Sequence, residues 1–196
     1  MERVIYINLD RRIDRKEAME AQLKVYGIQA ERFSAISHMF GLVGCMKSHL
    51  EVLRLAKARD WSSVLVLEDD FEFLVSPQEL HATLQEFFAL GIPYDVVMLG
   101  YNLKKSQPFH SLLVKVLDAQ TASAYIVHKR FYDKLIKLYE KILPKLEQTQ
   151  LWDTYANDQI WKQLQPKSAW YAFKKRLGRQ RASFSDNTGQ FEDYGC

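Results

Sequence analysis

The sequence predicts an α/β domain whose central, mostly parallel sheet is covered by helices on both faces. Three observations carry this. Short runs rich in β-branched and aromatic residues, such as "RVIYINL" (3–9), "SSVLVLE" (62–68) and "YDVVMLG" (94–100), are apolar almost without break, as strands buried on both faces are. Longer amphipathic stretches separate them, so strand and helix alternate. The 196 residues match one ordinary domain, and no internal repeat or linker divides them.

The elements follow in chain order. After the first strand, "DRRIDRKEAMEAQLKVYG" places Ile13, Met19, Leu23 and Tyr26 on one helical face, and Gly27 marks a C-terminal stop. "IQAERFSAI" (28–36) reads as a second strand, residues 37–44 as a loop, and "CMKSHLEVLRLAKARDW" (45–61) as a helix. The strand at 62–68 precedes a helix that Ser76 caps, with Pro77 at its first position, Glu79 at its third and Gly91 just beyond. Strands are expected at 94–100, 111–120 and 121–128, then a helix from Lys129 that Pro144 ends. A helix near 153–164, a strand near "SAWYAF" and a polar tail complete the chain. The domain is drawn at 1–182 and the tail at 183–196.

Composition excludes several classes. At 47% hydrophobic residues the chain buries enough surface to offset the entropy of ordering, which removes a disordered reading. A net charge of +3 gives no strong field for nucleic acid. Cys45 and Cys196 are the two cysteines, and no Cys-x-x-Cys spacing marks a zinc site; Cys45 reads as a small buried apolar residue. "MERVIYINLD" is strand-like rather than a leader, and no apolar stretch approaches the ~20 residues that span a bilayer, so a cytoplasmic chain is the expectation. Neither G-x-x-x-x-G-K-[ST] nor G-x-G-x-x-G occurs, which argues against a P-loop ATPase and a dinucleotide oxidoreductase.

Chemistry concentrates where "SVLVLEDD" ends. Adjacent carboxylates repel and are costly to desolvate without a cation or hydrogen bonds. Carboxylate oxygens are hard ligands suited to manganese or magnesium, and two of them leave positions open for phosphate oxygens. In an extended backbone Glu68 and Asp70 project to one side and form the candidate metal pair. Asp69 then faces the other way, towards a sugar hydroxyl or backbone amides. Ligands in open α/β sheets gather beyond the carboxyl ends of the strands, the same rim that these residues occupy.

The motifs "VIYINLDRRIDRKEAM", "GCMKSHLEVL", "VLVLEDDFEF", "YDVVMLG" and "ASAYIVHKRFYDKL", in this order, resemble glycosyltransferase family 25, which includes lipooligosaccharide and collagen galactosyltransferases. The tail segment "RQRASFSDN" resembles the end of its bacterial members. The resemblance implies a GT-A-like single domain and an inverting, metal-dependent transferase, with UDP-galactose as leading donor and UDP-glucose next. Manganese held by the acidic tip would neutralise the departing diphosphate. The resemblance also implies nucleotide or phosphate roles for Asn8 and Arg15, and site roles for Ser48 and His49 at the expected helix start, where amide dipoles favour anions.

Inversion needs a general base for the acceptor hydroxyl. "LWDTYANDQIW" (151–161) supplies Asp153 and Asp158 between Trp152 and Trp161, whose rings suit the apolar faces of a sugar. The family pattern favours Asp153. The stretch "KKRLGRQR" (174–181) reads as a solvated charged segment or as a contact for donor phosphates, anionic lipid headgroups (a peripheral membrane contact) or acidic glycan. Acceptors compatible with the pattern are a glycan, a glycolipid or hydroxylysine. The competing functions are a metal-dependent nucleotidyl- or phosphoryl-transfer enzyme and a non-catalytic sugar-nucleotide binder.

Overall fold

A computed structural model describes residues 3–184, 191–192 and 195. Its elements are β1 (Val4–Asn8), α1 (Ile13–Val25), β2 (Glu31–Ser34), α2 (Gly41–Ala58), β3 (Ser63–Glu68), β4 (Phe71–Phe73), α3 (Pro77–Ala89), β5 (Val96–Met98) and β6 (Asn102–Pro108). Then come β7 (Leu113–Gln120), β8 (Ala124–His128), α4 (Lys129–Thr149), α5 (Trp152–Tyr155), α6 (Asn157–Ile160), β9 (Trp170–Phe173) and β10 (Gly178–Gln180). A short pair, β11 (Ser183–Phe184) and β12 (Phe191–Glu192), closes the described chain. Most of the tail at 183–196, including the Ser185-Asp186-Asn187 part of its motif, lies outside the described residues.

The eight-stranded sheet has the order β2-β1-β3-β8-β5-β9-β7-β6. Strands β1, β2, β3, β5, β6 and β9 run one way, and β7 and β8 run against them. The expected α/β domain with a mostly parallel sheet is therefore present, as a mixed sheet. Alternation along the strands builds two cores. Ile5, Ile7, Val64, Val66, Val96 and Met98 pack with Met46, Leu53, Leu135 and Tyr139 of α2 and α4. Val4, Tyr6, Leu65, Leu67 and Val97 pack on the other face with Met19, Leu23, Leu84 and Phe87 of α1 and α3.

Local signals hold at several ends. The Gly27 amide bonds the Lys24 carbonyl at 3.2 Å with φ +61°, and Ser76 Oγ accepts from the Glu79 amide at 3.2 Å. Elsewhere the structure differs from the sequence reading. Helix α2 begins at Gly41, inside the expected loop, and Gly44 explains how tightly it docks. A Cβ on Gly44 would lie 2.4 Å from the Ile36 carbonyl oxygen. Helix α4 runs through Pro144 to Thr149: Pro144 sits on the solvent side, and the buried Ile142 and Leu146 hold the helix to the core across it. The expected helix at 153–164 is instead α5 and α6, broken at Ala156, whose ψ of 158° is extended, followed by two turns of 3₁₀ helix.

Strands β4 and β10, which sequence periodicity did not indicate, pair antiparallel and turn the C-terminal segment back beneath the end of β3. The backbone approach is close: a Cβ on Gly178 would lie 2.1 Å from Phe71 Cζ. Among the described residues, no helix is long and apolar enough to cross a membrane.

Candidate active site

A cavity of about 700 Å³ opens beyond the carboxyl ends of β1 and β3. Its walls come from the segment after β2, from α2, from the Glu68–Asp70 turn, from the β7–β8 connection, from α5 and α6, and from Gln180 and Arg181.

The acidic floor is tightly wired. Strand β3 ends at Glu68, and Asp69 and Asp70 form a turn rather than continuing the strand. The alternation expected of an extended backbone is thereby lost, and all three carboxylates line the cavity. Parallel pairing of Ile7 with Glu68 brings Asn8 beside Asp69, and Asn8 Nδ2 donates to Asp69 Oδ2 at 2.7 Å. Arg15 Nη1 donates to Asp69 Oδ1 at 3.0 Å and to Asp70 Oδ2 at 2.8 Å. Gln180 Nε2 adds a bond to Asp70 Oδ2 at 3.2 Å, and the Arg181 amide donates to the Asp70 carbonyl at 2.7 Å.

Even so, Asp70 Oδ1 is buried without a partner. Burial, then the charge of Glu68, pushes the Asp70 carboxyl up to about 7 despite Arg15. Burial also raises Asp69, with Arg15 and Asn8 opposing. An orphaned, desolvated carboxylate oxygen next to a second acid is an environment that a hard divalent cation relieves. The residues present therefore fit such an ion.

A second group stands beside the first. His49 Nε2 lies 3.0 Å from Glu68 Oε1, His49 Nδ1 lies 2.7 Å from Tyr125 Oη, and Cys45 Sγ lies 3.8 Å from Glu68 Oε1. Burial, then the nearby carboxylates, push the Cys45 thiol up. His49 and Ser48 sit in the interior of α2, not at its start, so the helix-terminus argument for anion binding there does not apply. Ser48 Oγ is engaged internally, accepting from the Ile36 amide and donating to the Gly44 carbonyl, each at 2.8 Å.

At the start of α6, Asp158 Oδ2 accepts from the Thr121 amide at 3.0 Å. Thr121 has φ +81°, a strained conformation for a β-branched residue, and it lines the cavity. Burial raises the Asp158 carboxyl above its ordinary value, with the Thr121 amide opposing.

Of the sequence candidates, Arg15, Ser48, His49, Glu68, Asp69, Asp70 and Asp158 line the cavity. Asn8 stands behind it: its amide is consumed by Asp69, the Arg12 carbonyl and Arg32, so it braces the acidic turn. Asp153 is exposed, bonds Thr154 Oγ1 at 3.2 Å and is not among the lining residues. The two tryptophans part company: Trp152 lines the rim, and Trp161 is core against Tyr125 and Trp170.

The sequence did not mark Cys45, Asn157 or Thr121 as lining residues, and Arg181 lines the cavity from within the basic stretch. Only the one-turn spacing of Cys45 and His49 was a signal available in the chain. Within the basic stretch, Lys175 pairs with Glu79, Arg179 Nε bonds Glu72 at 2.6 Å and Arg181 lines the cavity.

A mixed α/β sheet with an acidic strand end at the rim of a cavity defines a GT-A-like domain. A glycosyltransferase involved in glycosylation of the major capsid of PBCV-1 superposes with a TM-score of 0.57, at 12% identity, covering 93% of each chain. The chain resembles glycosyltransferase family 25. A Drosophila melanogaster protein named as a member of that family is 24% identical over 135 residues, 55% of this chain. The chain spans 22% of that relative's length. No family model matches.

Proposed function

We propose that this chain transfers a hexose from a UDP-sugar, with UDP-galactose favoured over UDP-glucose, to an acceptor hydroxyl with inversion. The observation that supports the reading most is the unpartnered Asp70 Oδ1 at the floor of the cavity, beside Glu68. Glu68 and Asp70 would hold manganese or magnesium, which when bound supplies positive charge to the diphosphate leaving group.

The protein's own groups do the rest. Arg15 fixes both aspartates of the turn and keeps their mutual repulsion from opening it. Asp158, held by the Thr121 amide, takes the proton of the acceptor hydroxyl as its oxygen bonds the anomeric carbon and the bond from that carbon to the diphosphate oxygen breaks. Its raised proton affinity and its place on the cavity wall suit a base, whereas Asp153 is exposed and off that wall. Trp152, at the rim, offers a ring face to an acceptor sugar.

The testing experiment is a panel of UDP-sugars incubated with the protein, with and without Mn²⁺, reading UDP release. Release from UDP-galactose or UDP-glucose that falls to background in chelator is the expected outcome. Equal release without metal, or release from neither sugar nucleotide with or without added acceptor, would count against the reading.

A further inference from the structure

We propose that Cys45, His49 and Glu68 form a second metal site, selective for zinc-like ions, on the wall of the same cavity. Their ligand atoms, one from each side chain, all lie within 4.8 Å of one another. Cys45 and His49 are one turn apart on α2 and face the end of β3, so a helix and a strand, not loops, set the geometry.

The two distances that end on Glu68 are close to those of a loaded site. At usual zinc bond lengths and tetrahedral angles, a coordinated nitrogen and oxygen lie about 3.3 Å apart and a coordinated sulfur and oxygen about 3.6 Å apart. His49 Nε2 and Cys45 Sγ stand 3.0 and 3.8 Å from Glu68 Oε1.

The outer hydrogen bonds are also in place. A metal-bound imidazole needs a partner for its other nitrogen, and Tyr125 Oη lies 2.7 Å from His49 Nδ1. A coordinated thiolate is stabilised by N–H donors, and Asn157 Nδ2 lies 3.5 Å from Cys45 Sγ. Asn157 itself is buried, with Oδ1 unpartnered, and lines the cavity. Three protein ligands leave one position open to the cavity, as in sites that keep a water or substrate on the ion.

Sulfur and imidazole select a borderline or soft ion, whereas the all-oxygen Asp70 corner selects a hard one. Glu68 belongs to both, so a zinc-like ion would withdraw it from the diphosphate metal. The set shares Glu68 with the proposed diphosphate metal, but Cys45 and His49 take no part in the sugar-transfer reading, and the test needs no nucleotide.

The test is a Co²⁺ titration of the metal-free full chain near neutral pH. The expected result is a near-ultraviolet sulfur-to-cobalt band saturating at about one ion per chain and displaced by one equivalent of Zn²⁺. The Cys45→Ser variant should lose that band while Asp70→Asn keeps it. Asn157→Ala should weaken Zn²⁺ binding, read by competition with a chromophoric chelator, by about tenfold. No sulfur band in the wild-type chain overturns the proposal, whatever the variants do. A band that persists in Cys45→Ser, with Cys196 then its source, overturns it equally.

Discussion

Asp70 holds its proton more tightly in the folded chain than in the unfolded one, because burial and Glu68 outweigh Arg15. For a carboxyl raised in this way, the loss of stability opens as pH rises past the unfolded value near 3.8 and is complete above about 7. Replacing it by a neutral amide removes that loss. In metal-free buffer at pH 8, Asp70→Asn should be more stable than wild type by about 1–2 kcal/mol and melt correspondingly higher, with the two converging below about pH 4. The same variant should lose metal-dependent UDP release. A lower melting temperature at pH 8 would show that Arg15 dominates the corner instead. Asp158 gives the kinetic counterpart. In the proposed role of base, its raised carboxyl should set the acidic limb of the transfer rate above the ordinary 3.8, the rate rising with pH as the carboxyl ionises. Asp158→Asn should cost about 10²–10⁴-fold in transfer with UDP affinity kept, and Asp153→Asn should change neither; steady-state kinetics with a UDP-binding assay separates these outcomes. The acidic triplet was legible in the sequence because an apolar strand runs straight into it. The proposed preference for Asp158 over Asp153 was not, since it turns on the helix interruption at Ala156 between α5 and α6.

At the level of elements, the pairing of β4 with β10 matters most to the site. It places Gln180 opposite Phe71 and so brings Gln180 and Arg181 onto Asp70. Gly178 allows that approach, with the Phe71 ring and the Glu72 carbonyl 2.1 and 2.5 Å from where a Cβ would be. Gly178→Ala should therefore cost about 1–3 kcal/mol in denaturant unfolding and reduce UDP-sugar turnover more than the lost stability explains. Unchanged turnover would separate the hairpin from the site. Sequence periodicity revealed the long apolar strands and the capped helix at Ser76, where pattern and cap agree. It could not reveal three-residue strands such as β4 and β10, whose pairing depends on contacts more than a hundred positions apart, as between Glu72 and Arg179. Helix α2 begins earlier than its sequence suggests because Gly41-Leu42-Val43-Gly44 carries little helix propensity, which burial of Val43 and Met46 overrides.

The whole molecule joins its sheet in an order unlike that of the chain. Strand β9 (Trp170–Phe173) lies between β5 and β7, so the β6–β7 hairpin reaches the rest of the sheet through a strand that comes near the end of the sequence. That arrangement was outside what strand-helix alternation can tell, because alternation orders elements along the chain and not across the sheet. Its consequence falls on biosynthesis. While a ribosome is still adding residues before 170, β5 and β7 present bare edges, which are templates for mispairing with other chains. A product ending at residue 169 should accordingly precipitate or co-sediment with chaperones, whereas one ending at 182 should remain in the supernatant; equal recovery of both by centrifugation after cell-free synthesis would refute this. Premature termination or a slow codon late in the message would thus harm the protein far more than its small contribution of missing residues suggests.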